Sequence, residues 1–208
     1  ALESQDLDRT RDIMRACGAR IEREAPGAYR ILGTPIPAGG ADAPISINVG
    51  ESGTTCRLLT AVLAAGNGQF RIHGEGRMHD RPIGQLTTAL ETRGTVIEWE
   101  DKPGYPPFVL KAAGMTGGEV SIPLEESSQY LSGLLLAAPL ARNTLVIGVS
   151  GDKVVSWPYV GLTLQAMQDF GINFRVEKPA GEDWEPVDWR DPGDVVPGAL
   201  RFRVIPSM

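Results

Sequence analysis

The sequence predicts an α/β (α+β) domain built from βαβαββ repeats around a pseudo-threefold axis, with the helices buried inside and the β-sheets outside. Two observations lead to this prediction. The first is a sequence pattern that recurs at an even spacing along the chain. The second is that the helical segments are apolar on nearly all sides, whereas the strand segments alternate between apolar and polar residues. Helices that are apolar all round are buried, and alternating strands have one face in water.

Three glycines mark the repeat. Gly18, Gly94 and Gly171 are almost equally spaced in the sequence. Each follows a helix-like stretch and precedes an alternating run, which is the place of a helix C′ residue in the left-handed backbone region. The three glycines therefore predict three equivalent helix ends.

Two further markers keep the same period. Ser52 and Ser128 each open an apolar helical run, and they are separated by the same interval as the first two glycines. The Arg-Pro pair at 81–82 and the Trp-Pro pair at 157–158 are separated by this interval too. Proline is favoured near the first position of a helix, so each pair is expected to start one.

The first repeat is expected to lack its beginning, because the counterpart of Ser52 would fall before residue 1. We therefore expect two and a half repeats, with one strand and one helix missing. On this division the chain 1–208 is a single domain, truncated at its N-terminus. Its parts are repeat one at 1–44, repeat two at 45–118 and repeat three at 119–208.

Each full repeat is expected to run strand, helix, strand, helix, strand, strand. In the middle repeat these elements are predicted at 45–49, 53–65, 70–73, 82–93, 96–100 and 108–112. The helices at 54–65 and 129–141 are the most apolar. By contrast, the segment 178–197 is rich in Pro, Gly, Asp and Trp, which predicts a long surface loop.

Composition excludes several classes of protein. The chain has 208 residues, of which 42% are hydrophobic and 22% charged, so it is not a disordered chain. No apolar run approaches the roughly 18 residues of a membrane-spanning helix. The net charge of −6 disfavours general nucleic-acid binding. Cys17 and Cys56 are expected in the core, and the separated His73 and His79 do not form a metal site.

Two predicted helix starts carry small hydroxyl residues. Ser52, Gly53 and Thr54 open one apolar helix, and Ser127 and Ser128 open another. Free backbone N–H groups and the helix dipole make such starts suitable for anions, and a glycine lets an oxyanion approach the backbone. Ordinary N-capping by serine is the alternative interpretation. The occurrence at two equivalent positions of the repeat favours a functional role.

The loop at 74–82 lies between a predicted strand and a predicted helix and contains two arginines, among them Arg77. Arginine is suited to bidentate binding of carboxylate or phosphate. The alternative is a solvated turn held by salt bridges. The equivalent loop at 151–159 contributes Ser156 and Tyr159, which would add neutral hydrogen bonds to the same centre.

Four segments together resemble the 5-enolpyruvylshikimate-3-phosphate synthase family. They are GESGTTCR at 50–57, GEGRMHDRPIG at 74–84, SSQYL at 127–131 and GDKVVSWPY at 151–159. The resemblance implies two domains of βαβαββ-type units with buried helices, of which this chain is most of one. It also implies transfer of the enolpyruvyl group of phosphoenolpyruvate to the 5-hydroxyl of shikimate 3-phosphate. The route is addition–elimination through a tetrahedral intermediate, with no metal or organic cofactor, and a cytoplasmic enzyme is expected.

The resemblance implies roles for individual residues. Phosphoenolpyruvate contacts are expected from Gly53, Thr54, Arg77 and Gln129. Shikimate 3-phosphate contacts are expected from Ser127, Ser128, Gln129, Ser156 and Tyr159. Catalysis by such groups would rest on positioning and on stabilisation of charge. The absent second domain and N-terminal loop supply the proton-transfer residues of the family, so the chain alone is expected to be inactive.

The sequence departs from the family at two positions. The family commonly has Asn where Glu51 stands and a basic residue where Trp157 stands. The first change alters the expected charge of the phosphoenolpyruvate pocket.

Three alternatives stay open. UDP-N-acetylglucosamine enolpyruvyltransferases share the fold, but their mobile loop carries a reactive cysteine that the segment 77–80 lacks. RNA 3′-phosphate cyclases have related units, and the acidic balance argues against RNA. A binding module for phosphorylated metabolites would hold shikimate 3-phosphate without chemistry.

Overall fold

The computed structural model of the protein describes residues 4–33, 36–151, 157–191 and 199–207. The helices in these residues are α1 (Gln5–Ala16), α2 (Gly53–Ala64), α3 (Gly84–Glu91), α4 (Gln129–Ala137) and α5 (Trp157–Asp169). The strands are β1 (Arg20–Ala25), β2 (Ala28–Leu32), β3 (Ile45–Asn48), β4 (Asn67–His73), β5 (Val96–Trp99), β6 (Phe108–Ala113), β7 (Gly118–Pro123), β8 (Leu145–Ser150), β9 (Phe174–Ala180), β10 (Asp183–Pro186) and β11 (Arg201–Val204).

Two sheets of the molecule share one topology. The sheet of the middle segment has the order β3-β4-β6-β5, with β3 and β4 parallel and the other neighbours antiparallel. The larger sheet has the order β7-β8-β11-β9, again with only the first pair parallel, and β10 is added at its edge. In both sheets a helix connects the two parallel strands, as a crossover requires. The predicted βαβαββ order is confirmed.

The first segment supplies one helix and one hairpin, α1 followed by the antiparallel strands β1 and β2. This corresponds to the last helix and last two strands of the later units. Residues Ala38 and Gly40 then form bridges to Asn67 and Gln69 of β4, which connect the first segment to the middle sheet. The boundaries at residues 44/45 and 118/119 stay a prediction.

The three glycines of the repeat end helices as predicted. Gly18, Gly94 and Gly171 have φ angles of 102°, 99° and 71°. At Gly171 the amide donates to the carbonyl of Gln168, and the next amide donates to that of Met167. This pair of bonds is the Schellman arrangement, which satisfies carbonyls left open at a helix end.

The core lies where α2 packs against α4. Leu131, Leu134 and Leu135 of α4 are fully buried, as is Leu63 of α2. A Cβ atom at Gly133 would lie 3.1 Å from the Cβ of Ala61, so the two helices approach closely at this glycine. The strands alternate, with β6 burying every second residue of its first five. The predicted arrangement of helices inside and sheets outside is confirmed.

Several predicted boundaries are wrong. Helix α3 begins at Gly84 rather than at residue 82, because the preceding loop forms a separate 3-10 helix at Gly76–Asp80. Helix α4 ends at Ala137 and continues as a 3-10 helix at Ala138–Leu140, where Pro139 lacks the amide that an α-helix needs. Strand β4 starts at Asn67, ahead of the predicted start at residue 70.

The predicted surface loop at 178–197 is wrong in its first part. Strand β9 extends to Ala180, and Gly181, with a φ of 68°, turns the chain into β10. The hairpin is held by backbone pairing and by an ion pair of 3.1 Å between Lys178 and Glu185. Residues 192–198 lie outside the described part of the chain. Among the described residues, no helix is long and apolar enough to cross a membrane.

Candidate functional site

The N-terminus of α2 forms one side of the candidate site. Ser52 caps the helix, because its Oγ accepts the Thr55 amide at 3.2 Å. The capping interpretation therefore holds for Ser52, while the next residues remain available. A Cβ atom at Gly53 would lie 2.6 Å from Nη1 of Arg81, so the guanidinium stands directly over this end of the helix. Helix dipole and guanidinium charge have the same sign here, which favours an anion.

The N-terminus of α4 forms the second side and contacts the first. Ser127 Oγ accepts the Gln129 amide at 3.2 Å, and Ser128 is only 3% exposed. The side-chain Nε2 of Gln129 donates to Oγ1 of Thr54 at 2.8 Å. The two helix starts that the sequence singled out separately are thus joined by a direct hydrogen bond.

Arg57 links these groups, although it is not among the site residues predicted from the sequence. Its Nη1 donates to Gln129 Oε1 at 3.0 Å and to Ser127 Oγ at 3.4 Å. Its Nη2 lies 3.5 Å from the carbonyl oxygen of Pro82. A signal was present in the sequence, since Arg57 is the sole charged residue in the predicted helix 53–65. A lone arginine in a buried helix needs acceptors inside the protein.

The electrostatics at the base of the site exclude a thiolate. The charges of Arg57 and Arg81 both act on Cys56, but complete burial dominates and raises the pKa of this thiol to about 12. Burial likewise raises the pKa of Cys17 to about 11. Both cysteines are core residues, as predicted, and both are protonated at neutral pH.

The arginine loop lies beside α2 but is only partly tied to it. The Arg77 amide donates to Glu51 Oε1 at 3.4 Å, and a Cβ atom at Gly76 would overlap this carboxylate. Glu51 therefore occupies a backbone donor of the loop. The guanidinium of Arg77 is exposed and forms no ion pair within the described residues.

Some predicted site residues are not brought into this cluster. Tyr159 lies in the first turn of α5 and is 62% exposed. Ser156 lies outside the described residues. Trp157 packs on Phe202, with ring centroids 6.2 Å apart. The position where the resembled family commonly has a basic residue is therefore used here for an aromatic contact. A hydrogen bond of 2.9 Å from Thr163 to Ser132 connects α5 to α4.

The two histidines lie apart from the cluster. His73 contacts Ser46 on the sheet, with 2.8 Å between Nε2 and Oγ, and burial is the main cause that lowers its pKa. In the described ranges no three His, Cys, Asp or Glu side chains come together as a metal site would require.

Comparisons with known proteins agree on one family. The family model described as EPSP synthase (3-phosphoshikimate 1-carboxyvinyltransferase) matches residues 1–190. The protein named 3-phosphoshikimate 1-carboxyvinyltransferase from Marinomonas sp. (strain MWYL1) is 43% identical over 174 residues, covering 82% of this chain and 40% of that protein. Its namesake from Nitrosomonas europaea is 42% identical over 176 residues, covering 85% and 40%.

A solved structure shows the same fold. EPSP synthase from Acinetobacter baumannii superposes with a TM-score of 0.69 at 23% identity, covering all of this chain and 40% of that one. The present chain thus spans about 40% of the length of the relatives that it matches.

Proposed function

The chain belongs to the EPSP synthase (3-phosphoshikimate 1-carboxyvinyltransferase) family, and we propose that it binds the substrates of enolpyruvyl transfer from phosphoenolpyruvate to shikimate 3-phosphate. One observation carries this proposal. The starts of α2 and α4 lie side by side, because Gln129 at the start of α4 donates a hydrogen bond to Thr54 at the start of α2. Two polyanionic substrates that must react with each other require such adjoining anion sites.

The residues divide between the two substrates by position. Gly53, Thr54 and Arg77 belong to the α2 side and would hold phosphoenolpyruvate. Ser127 and Ser128 belong to the α4 side and would hold shikimate 3-phosphate. Gln129 stands between the two sides and would contact both. Ser156 and Tyr159, near the start of α5, would extend the shikimate 3-phosphate site.

In the addition step the 5-hydroxyl of shikimate 3-phosphate would lose its proton as its oxygen bonds to C2 of phosphoenolpyruvate, and C3 would gain a proton. Phosphate then leaves C2, and C3 loses a proton to restore the double bond. The groups of this chain would align the two substrates and stabilise the anionic oxygens during both steps. The cysteine thiols are protonated and buried, so they do not serve as bases.

We further propose that residues 1–208 form most of one domain of a two-domain cytoplasmic enzyme, with no nucleic-acid or membrane partner. The second domain would provide the proton-transfer groups. Support comes from the share of its relatives that the chain covers, about 40%. The 208-residue chain by itself is then inactive.

Titration calorimetry of the purified chain tests the proposal. Shikimate 3-phosphate should give saturable heat, and UDP-N-acetylglucosamine should give none. Ser127→Ala should weaken shikimate 3-phosphate binding, whereas Ser121→Ala, an exposed serine on β7, serves as the matched control. If UDP-N-acetylglucosamine gave heat and shikimate 3-phosphate gave none, the chain would instead be assigned the substrate of the UDP-N-acetylglucosamine enolpyruvyltransferases. Phosphate release from both substrates by the chain alone would contradict the proposed division of labour.

A further inference from the structure

Arg57 has no role in the proposed division of substrates, yet it lies on α2 and its side chain contacts Ser127 and Gln129 at the start of α4. We infer that Arg57 is a positioning residue that sets the direction of the hydrogen bonds between α2 and α4, so that the hydroxyl protons of Thr54 and Ser127 face the ligands. This inference rests on the proposed function. It concerns how the site is prepared before a ligand arrives.

The direction of the first chain of bonds follows from the chemistry of the guanidinium. Arginine can only donate, so the Gln129 side chain must turn its oxygen towards Arg57, at 3.0 Å. Its amide nitrogen then points the other way and donates to Thr54 Oγ1 at 2.8 Å. The Thr54 oxygen is thereby used as an acceptor, and its own proton is left to donate outward.

The second chain of bonds has the same outcome. Ser127 Oγ accepts twice, from Arg57 Nη1 at 3.4 Å and from the Gln129 backbone amide at 3.2 Å. Both lone pairs of the hydroxyl are then engaged, and its proton is the remaining free group. Among the described residues neither Ser127 nor Thr54 donates its hydroxyl proton to a protein acceptor. Both hydroxyls are thus prepared as donors for anionic oxygens.

Arg57 is itself held in place, which is what a positioning residue requires. Its guanidinium carbon lies 5.4 Å from the ring centroid of Tyr130, which is fully buried. The Tyr130 hydroxyl lies 2.8 Å from the Pro82 carbonyl oxygen, which Arg57 Nη2 also approaches, and 3.0 Å from Glu126 Oε2, so its one proton has two acceptors. Both terminal nitrogens of Arg57 therefore face acceptors of the protein. Its contacts join α2, α4 and the segment that precedes α3.

Shikimate 3-phosphate affinity, measured by titration calorimetry on the 208-residue chain, tests the inference. Arg57→Met removes the guanidinium, and Arg57→Lys keeps the charge but cannot bridge two acceptors with a planar fork. Both should weaken binding by about 10-fold to 100-fold, the scale of hydrogen bonds to charged groups. Arg71→Met removes the same charge from the outer sheet, where Arg71 pairs with Glu100 at 2.7 Å, and should leave affinity unchanged. Wild-type affinity in Arg57→Lys would overturn the inference.

A double-mutant cycle separates positioning from direct contact with the ligand. Because Arg57 acts through Gln129 as well as Ser127, the losses caused by Arg57→Met and Gln129→Met should be less than additive in the double variant. Fully additive losses would show that Arg57 does not act through Gln129, and would overturn the inference.

A measurement without ligand keeps the inference distinct from the proposed function. The side-chain amide signals of Gln129 in ¹⁵N-edited NMR spectra should shift in both Arg57→Lys and Arg57→Met. Unchanged signals would overturn the positioning role, whatever the ligand. Conversely, the Arg57 variants could show these shifts while the wild-type chain binds no shikimate 3-phosphate. That result would refute the proposed function and leave the positioning role of Arg57 supported. Circular dichroism of each variant confirms that the fold is retained.

Discussion

Two glycines of the third unit, Gly161 and Gly171, should respond in opposite directions to the same substitution. Among the described residues, apart from chain neighbours and the backbone of its own helix, a Cβ atom at either position meets no heavy atom within 4 Å, so no new packing contact is expected. Gly171 has a φ of 71°, where a side chain costs about 1–2 kcal/mol. Alanine also lowers the conformational entropy of the unfolded chain, and this offsets about 0.4–1 kcal/mol of that cost. Gly171→Ala should therefore destabilise the protein by about 1 kcal/mol.

Gly161 lies inside α5, where alanine is preferred to glycine by about 0.5–1 kcal/mol. Gly161→Ala should raise the free energy of unfolding by this amount, so the two variants should differ by about 1.5–2 kcal/mol. Urea unfolding followed by tryptophan fluorescence measures both, with equal m-values as the control. Gly171→Asn should fall between Gly171→Ala and the wild type, since asparagine tolerates the left-handed region. A Gly171→Ala protein as stable as the wild type would refute the reasoning.

Three further predictions concern the site and the core. Gly53→Ala should weaken phosphoenolpyruvate binding by about tenfold, which corresponds to the loss of one hydrogen bond. Calorimetry with saturating shikimate 3-phosphate measures this affinity, and an unchanged value would count against close approach of phosphoenolpyruvate to this glycine. Cys17 and Cys56, with burial-raised pKa values of about 11 and about 12, should react with a thiol reagent at pH 8 only after unfolding; labelling of the native protein would contradict their burial. Glu177→Gln should lower the free energy of unfolding at pH 7 by about 1.5–3 kcal/mol, because it weakens the 2.6 Å bond from Arg201.

The Glu177 prediction has a definite pH dependence. Burial raises the pKa of this carboxyl, but the hydrogen bond and charge of Arg201, with Arg203, outweigh it and lower the pKa overall. A lowered pKa contributes stability above the unfolded value, near 4.3 for a glutamate, and this is lost as the pH falls through the folded value. The difference between wild type and Glu177→Gln should therefore shrink in acid. An equal difference at pH 3 and pH 7 would contradict this assignment.

The order of elements could be predicted from the sequence because its signals are local. A glycine at a helix end acts through its own backbone, and Gly18, Gly94 and Gly171 all adopt the predicted positive φ. The two helix starts were likewise visible from small hydroxyl residues before an apolar run. Such features need no knowledge of distant contacts, and their even spacing made them mutually supporting.

The hairpin of β9 and β10 could not be predicted from composition, because part of what holds it in place comes from residues that are distant in the sequence. Its composition suggests a loop, yet β9 pairs with β11, which follows only after the segment 192–198. Trp184 of β10 then packs against the guanidinium of Arg201, at 4.1 Å from the ring centroid. Arg57 was not predicted as a site residue for the same reason, because its acceptors Ser127 and Gln129 are far from it in the sequence.

The acidic total of the chain does not oppose an anion site, because the charges are distributed unevenly. On the outer sheets arginine and lysine are neutralised by pairs such as Arg71–Glu100 and Lys111–Glu98. Beside α2, in contrast, the Arg77 and Arg81 guanidinium groups have no carboxylate partner among the described residues. Charges beyond about 8–10 Å are screened at physiological salt, so a ligand at this helix start responds to the local arginines and to Glu51 rather than to the net charge of −6. Local pairing, which only the folded chain reveals, therefore decides which sign of ligand the site accepts.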